Sequence, residues 1–148
     1  DRLFRLLSSC AAALKGRPDR ALAVLAYAEH WLLHCLGLLP HPRLCGRCGR
    51  GDAPLVLFTE EQGWCCAACT PVDPSESLPP GTREHLRALR TLPAEEAPDP
   101  VGSPAARVVT ELLRKRLLRE LGHPRSYGVL DRVLVGWDPA PEERHDGP

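Results

Sequence analysis

The sequence has 148 residues, 43% of them hydrophobic, and its 19 basic residues balance 19 acidic ones. That length holds one modest core, or a core plus a small metal module, and the apolar share is that of a globular protein. Zero net charge excludes a whole-chain electrostatic attraction to nucleic acid, so only local clusters can supply one.

The chain has no methionine, even at position 1, and starts inside an amphipathic pattern, as a piece of a longer protein or a processed chain would. No basic segment leads into an apolar run and a small-residue cleavage site, so no signal peptide is expected. Leu3, Phe4, Leu6, Leu7, Ala11 and Leu14 recur at helical spacing and predict an amphipathic helix from Arg2 to Leu14, closed by Gly16 and Pro18. Pro18-Asp19 opens a second helix from about Arg20 to Leu36, stopped by Gly37 and Pro40. It is apolar on nearly every face, the mark of a central buried helix or a membrane span. Glu29, His30 and His34 stand in its middle, where a charge in lipid costs about 3 kcal/mol, so a buried helix and no membrane partner are expected. These three polar residues should line one partly wet edge and satisfy one another by hydrogen bonds. The other use of His30 and His34, a His-x-x-x-His metal site, lacks the glutamate that should follow the first histidine, because Trp31 is there.

Cys45 and Cys48 then form one Cys-x-x-Cys pair and Cys66 and Cys69 a second, with 17 residues between them. That spacing suits a four-cysteine zinc site, and two such turns close a tetrahedral sulfur shell around one structural Zn2+ with no position left for water. Leu55 to Thr59 is a strand-like apolar run and Gln62-Gly63 can turn before Trp64, so the pairs clamp a hairpin into a zinc ribbon. Cys65 is out of phase with the second pair, since Ala68 stands three places on, and is excluded as a ligand. A thioredoxin-like redox pair would want one motif in a βαβ setting, and here there are two without that setting. The remaining Cys10, Cys35 and Cys65 make no even disulfide set, which favours a reducing interior.

The stretch from Thr70 to Gly81, rich in Pro and Ser, is a connector. Thr82 can cap a helix running to about Leu92 with Leu86, Leu89 and Leu92 inward and Arg83, Arg87 and Arg90 along one side. PAEEAPDPVG, from Pro93 to Gly102, is a Pro-rich acidic loop with little to bury. Ser103 caps and Pro104 starts a helix to Leu121, with Val108, Val109, Leu112, Leu113, Leu117 and Leu121 inward, Arg107, Arg114, Lys115, Arg116 and Arg119 outward, and Gly122 at its end. Tyr127 to Val135 reads as one more short helix, Trp137 as folding back onto the core, and Asp138 to Pro148 as a disordered tail. The fold class is therefore mainly α, a bundle-like helical domain with an inserted four-cysteine ribbon. Its parts are residues 1–40 and 73–137 for the helical domain, 41–72 for the ribbon and 138–148 for the tail.

An apolar helix ending in LGLLP, then CGRCG, a hydrophobic strand with a Phe, QGWCCAAC, a Leu-Pro connector and a closing helix ending in LGHPRS follow one another in this chain. In that order they resemble the C-terminal region of RecO, the bacterial recombination mediator, from the first helix to about Val135. The resemblance implies a helical domain with a zinc module, preceded in such proteins by a DNA-binding OB-fold. It further implies binding to single- and double-stranded DNA, strand annealing, pairing with a RecR-like protein, loading of RecA onto strands coated with single-strand binding protein, and a bacterial cytoplasmic, nucleoid-associated location. The OB-fold is not in this chain, because a five-stranded barrel needs several alternating strands and only the hairpin offers any. Gln62 replaces the first glycine of the pair usual before the second knuckle, so the hairpin turn should differ in detail.

Arginine outnumbers lysine 17 to 2, and Arg43, Arg47 and Arg50 flank the knuckles. They can stabilise a zinc–tetrathiolate centre of formal charge minus two, or they can contact phosphate with their bidentate forks. The row Arg83, Arg87, Arg90 and the cluster Arg114, Lys115, Arg116, Arg119 are explained equally by a solvated helix face or, with the family resemblance, by a phosphate-tracking surface. With only seven aromatic residues for stacking, DNA binding should be weak, insensitive to sequence and steeply salt-dependent. No nucleophile elbow, HExxH, phosphate loop or paired-carboxylate motif is present, so no enzyme is expected. The alternative to DNA binding is a zinc-ribbon adaptor that meets only protein partners.

Overall fold

A computed structural model describes residues 1–39, 41–59, 63–70 and 77–122. The hairpin turn at Gln62, residues 71–76 of the expected connector, the helix expected over 127–135, Trp137 and the tail 138–148 lie outside the described residues. The described part is mainly helical: α1 (Arg2–Leu14), α2 (Ala21–Cys35), the strands β1 (Leu55–Thr59) and β2 (Gly63–Cys66), then α3 (Thr82–Thr91) and α4 (Pro104–Leu121).

The helix α2 is the axis of the body, with α1, α3 and α4 all packed on it. Leu33 from α2, Leu86 and Leu89 from α3, and Val109, Leu113 and Leu117 from α4 form one buried cluster. Leu55 and Trp64 of the hairpin belong to that same cluster, so the knuckle module and the helices share a core. The strands pair antiparallel, Leu55 against Cys66 and Phe58 against Trp64, with an irregularity between Leu55 and Leu57. The extra residue there, Val56, accepts a hydrogen bond at its carbonyl from Leu78 N–H (2.8 Å). Residues after the hairpin are thereby pinned to its outer edge.

Several local expectations change, among them Leu121, expected inward on α4 and 50% exposed. In α1 the buried stripe is Cys10 and Ala13, with Leu6 half-buried, while Phe4 is 70% and Leu7 66% exposed. Small side chains let α1 approach α2 closely, and a smaller cluster of Cys10, Ala13, Val24 and Ala94 results. At the start of α3, Gly81 is the cap in a left-handed conformation (φ 89°), and the Thr82 hydroxyl donates back to Pro79 O (2.7 Å). The loop from Pro93 to Gly102 is not idle: Ala94, Ala97 and Pro100 are buried, and the Arg20 guanidinium donates to the carbonyls of Glu95 (3.3 Å) and Ala97 (2.5 Å). In α4 the Ser103 hydroxyl accepts from Ala106 N–H (3.1 Å), as its position before Pro104 predicts.

The acidic residue inside α2 is answered from a second helix. Glu29, 2% exposed, accepts from Arg114 Nε of α4 at 3.1 Å, a buried pair that fixes how the two helices face. His30 is buried beside it, and desolvation, then the charges of His34, Arg90 and His85, push its pKa down to about 4. His34 packs edge-on against Trp31.

Two stability predictions follow from α2. Truncating Arg114 to Ala removes the cation facing a buried carboxylate and should cost about 3–5 kcal/mol of unfolding free energy measured in urea, against less than about 1 kcal/mol for Lys115→Ala on the exposed side. Equal losses would show that the Glu29 pair does not hold α2 to α4. His30 is neutral in the fold and protonates near pH 6.5 once unfolded, so its contribution is whole above pH 6.5 and fades as pH falls towards 4. Stability should drop by about 1 kcal/mol from pH 7 to 5.5 through this residue. His30→Gln should remove that part of the pH dependence, and an unchanged pH slope would rule the mechanism out.

Candidate metal centre and nucleic-acid interface

The two knuckles have the same backbone logic. Gly49 N–H donates to Cys45 O (2.8 Å) and Thr70 N–H to Cys66 O (3.0 Å), so each Cys-x-x-Cys turn folds over its first cysteine. Gly49 takes the left-handed conformation (φ 73°) that ends the first turn. The knuckles meet because Gly46 N–H donates to Trp64 O (2.7 Å) and Arg47 Nη1 to Cys69 O (2.7 Å).

This brings the sulfurs of Cys45, Cys48, Cys66 and Cys69 within 4.8 Å of one another, and none is in a disulfide. The Cys48 and Cys66 sulfurs are 3.8 Å apart. A tetrahedron with metal–sulfur bonds of about 2.3 Å has an edge of roughly 3.8 Å, so the set fits a zinc-sized ion. The thiols also compete for charge. Backbone N–H groups of Cys48 and Cys66 pull Cys45 down to about 6, whereas the Cys48 sulfur, followed by burial, holds Cys69 up to about 12. Four thiolates can share this space only around a cation. Four protein ligands would fill its tetrahedral shell, which suits a structural ion and leaves no place for substrate. Cys65 points elsewhere, its Sγ 3.7 Å from Gly63 O and fully buried.

The basic candidates divide by what they touch. Arg47 crosses the knuckles to a carbonyl, and Arg83 donates to the carbonyls of Gly51 and Ala53 (2.6 Å to the latter), tying α3 to the loop after the first knuckle. Arg114 is turned inward to Glu29. Lys115 pairs with Glu111 (2.5 Å) and Arg116 with Glu120 (3.6 Å) on α4 itself, and Arg119 lies exposed on the same helix. Arg50 is exposed beside the first knuckle. Arg43, Arg83, Arg87 and Arg90 come together, with His41, Pro42 and Thr91, as the walls of a basin of about 310 Å3. The sequence pattern put the α3 row on one side but did not join it to Arg43, nor did it mark His41. A histidine-proline step directly before a knuckle was the available signal.

Among models of protein families, the one described as recombination protein O C terminal matches residues 1–126, which take in the four described α-helices and both knuckles. No curated protein and no solved structure matches the chain.

The cysteine set makes a direct prediction. Cys66→Ser should lose the bound metal and more than about 4 kcal/mol of stability, since the ion's binding energy is folding energy and the hairpin core is shared with the helices. Cys65→Ala should keep one metal per chain by elemental analysis. Metal retained in the first variant, or lost in the second, would require a different ligand set.

Proposed function

This chain belongs to the recombination protein O C-terminal family, and from that premise we propose how it serves the family's role in DNA recombination and repair. It is the helical and zinc-bearing part of a recombination mediator in the bacterial cytoplasm, associated with the nucleoid. Zn2+ is its metal and a structural one, and the chain has no enzymatic role of its own. It contacts single- and double-stranded DNA, and in the intact protein this supports annealing and the loading of RecA together with a RecR-like protein on strands coated by single-strand binding protein. No described helix is long and apolar enough to cross a membrane.

The observation that supports DNA contact most is the gathering of four arginines from two separate segments around one basin next to the metal module. Guanidinium forks suit phosphate oxygens and do not read bases, so binding should be blind to sequence. The second reading is an adaptor that meets only proteins. The broad apolar surface of α1, with Leu3, Phe4 and Leu7 all exposed, is the observation that favours it.

Binding of the whole chain to a fluorescent single-stranded oligonucleotide across a salt series separates the two. With two or three phosphates neutralised, log affinity should fall against log salt with a slope of about −1.4 to −2. Absence of binding at every salt, with a repair partner still bound, would leave the adaptor.

A further inference from the structure

We propose that the basin between α3 and the turn before the first knuckle is a seat for one nucleic-acid phosphate, taken by Arg43, Arg87 and Arg90 with Arg83 holding the wall. The proposal deepens the DNA-binding reading above and rests on it.

Burial of Leu86 and Leu89 against the core sets the rotation of α3 and sends Arg83, Arg87 and Arg90 to its other flank. Like charges four and three residues apart destabilise a helix, and α3 carries only Glu84 against them. Arg43 brings a further positive charge from a separate segment. No carboxylate is among the residues lining the basin, and among the described residues no ion pair links Arg43, Arg87 or Arg90 to an acid. Elsewhere among the described residues Arg17, Arg114, Lys115 and Arg116 each pair with a carboxylate, and Arg20, Arg47 and Arg107 donate to backbone carbonyls. The basin is where positive charge is collected and left for an anion from outside.

The walls are set in advance. Arg83 is fixed by the carbonyls of Gly51 and Ala53 and is not spare for the ligand. His41 Nδ1 accepts from Arg43 N–H (3.1 Å), which leaves the neutral ring's proton on Nε2 as a donor. Burial, then Arg90 and Arg43, keep the His41 pKa low, so it adds a hydrogen bond and no charge. Thr91 spends its hydroxyl proton on Arg87 O (2.9 Å). At about 310 Å3 the space is at the small end for ligand sites, more than a phosphate group fills and enough to admit the sugar beside it. The shared chemistry is phosphate oxygen, whether from a strand terminus or from within a strand.

The test uses the whole metal-loaded chain, the oligonucleotide salt series, and the triple variant Arg43→Gln, Arg87→Gln, Arg90→Gln, with Arg43→Gln alone as a variant outside any helix and Arg5→Gln on α1 as a control. The triple variant should lose at least about tenfold in affinity at low salt and show a salt slope shallower by about one, Arg43→Gln should lose part of this, and Arg5→Gln should lose nothing. A 5′-phosphorylated strand that outbinds its 5′-hydroxyl twin only in the wild type places a terminal phosphate in the basin. Equal binding of the two, with the variant's loss intact, places an internal one. Wild-type affinity and slope in the triple variant would overturn the basin while leaving DNA binding standing. No oligonucleotide binding by the wild type at any salt would overturn both, and so would preferential binding of an acidic peptide.

Discussion

Trp64 couples the metal module to the rest of the molecule. Its side chain, 1% exposed, sits in the cluster formed by the leucines of α2, α3 and α4 and stacks at a tilt on Phe58, with 4.6 Å between ring centres. Its carbonyl accepts from Gly46, inside the first knuckle, and the next residue but one is Cys66 of the sulfur cluster. A single strand thus carries both a core anchor and one sulfur of the four-cysteine cluster. The hairpin alone would have too little apolar surface to fold, and the sulfur cluster alone would hold only two turns. Joined through Trp64, the leucine core and an ion held by the four sulfurs would each stabilise the other.

Around that coupling, arginine is used in three physically different ways. As a hydrogen-bond fork it stitches loops by their carbonyls, with Arg20 on the 94–97 segment, Arg47 across the knuckles and Arg83 on the 51–53 loop. As a buried cation it answers Glu29 inside the body. As unpaired surface charge it gathers around the basin. A five-donor planar group can do all three where a lysine ammonium would serve only the last well, in keeping with the excess of arginine over lysine. Some of this basic charge is therefore architecture, fixed on carbonyls and on Glu29.

What could be read from the sequence was whatever depends on short-range pattern. The bounds of α1, β1 and α4, the Ser103 cap and the four clustered cysteines follow from periodicity, cap chemistry and motif spacing. What escaped depends on which neighbour a residue meets. The periodicity of α1 is carried by large residues, but the close approach to α2 selected Cys10 and Ala13 instead. Glu29 and Arg114 are 85 positions apart, so no local rule joins them. The 93–102 loop has no large apolar residue, yet its alanines and Pro100 fill gaps that only the assembled helices create. The basin is legible as a row of arginines on one helix and illegible as a concave site, because Arg43 comes to it from 40 positions before Arg83.

The crossing of Leu78 over β1 has a further effect. A two-stranded sheet has two open margins, each a row of peptide groups able to recruit a strand from another molecule. Here the irregularity at Val56 breaks the repeat of β1, and the carbonyl it frees is taken by Leu78 of the same chain. The margin that would template intermolecular growth is interrupted at the second residue of β1. This guards the hairpin against amyloid-like stacking at a point where a regular, five-residue apolar strand would invite it.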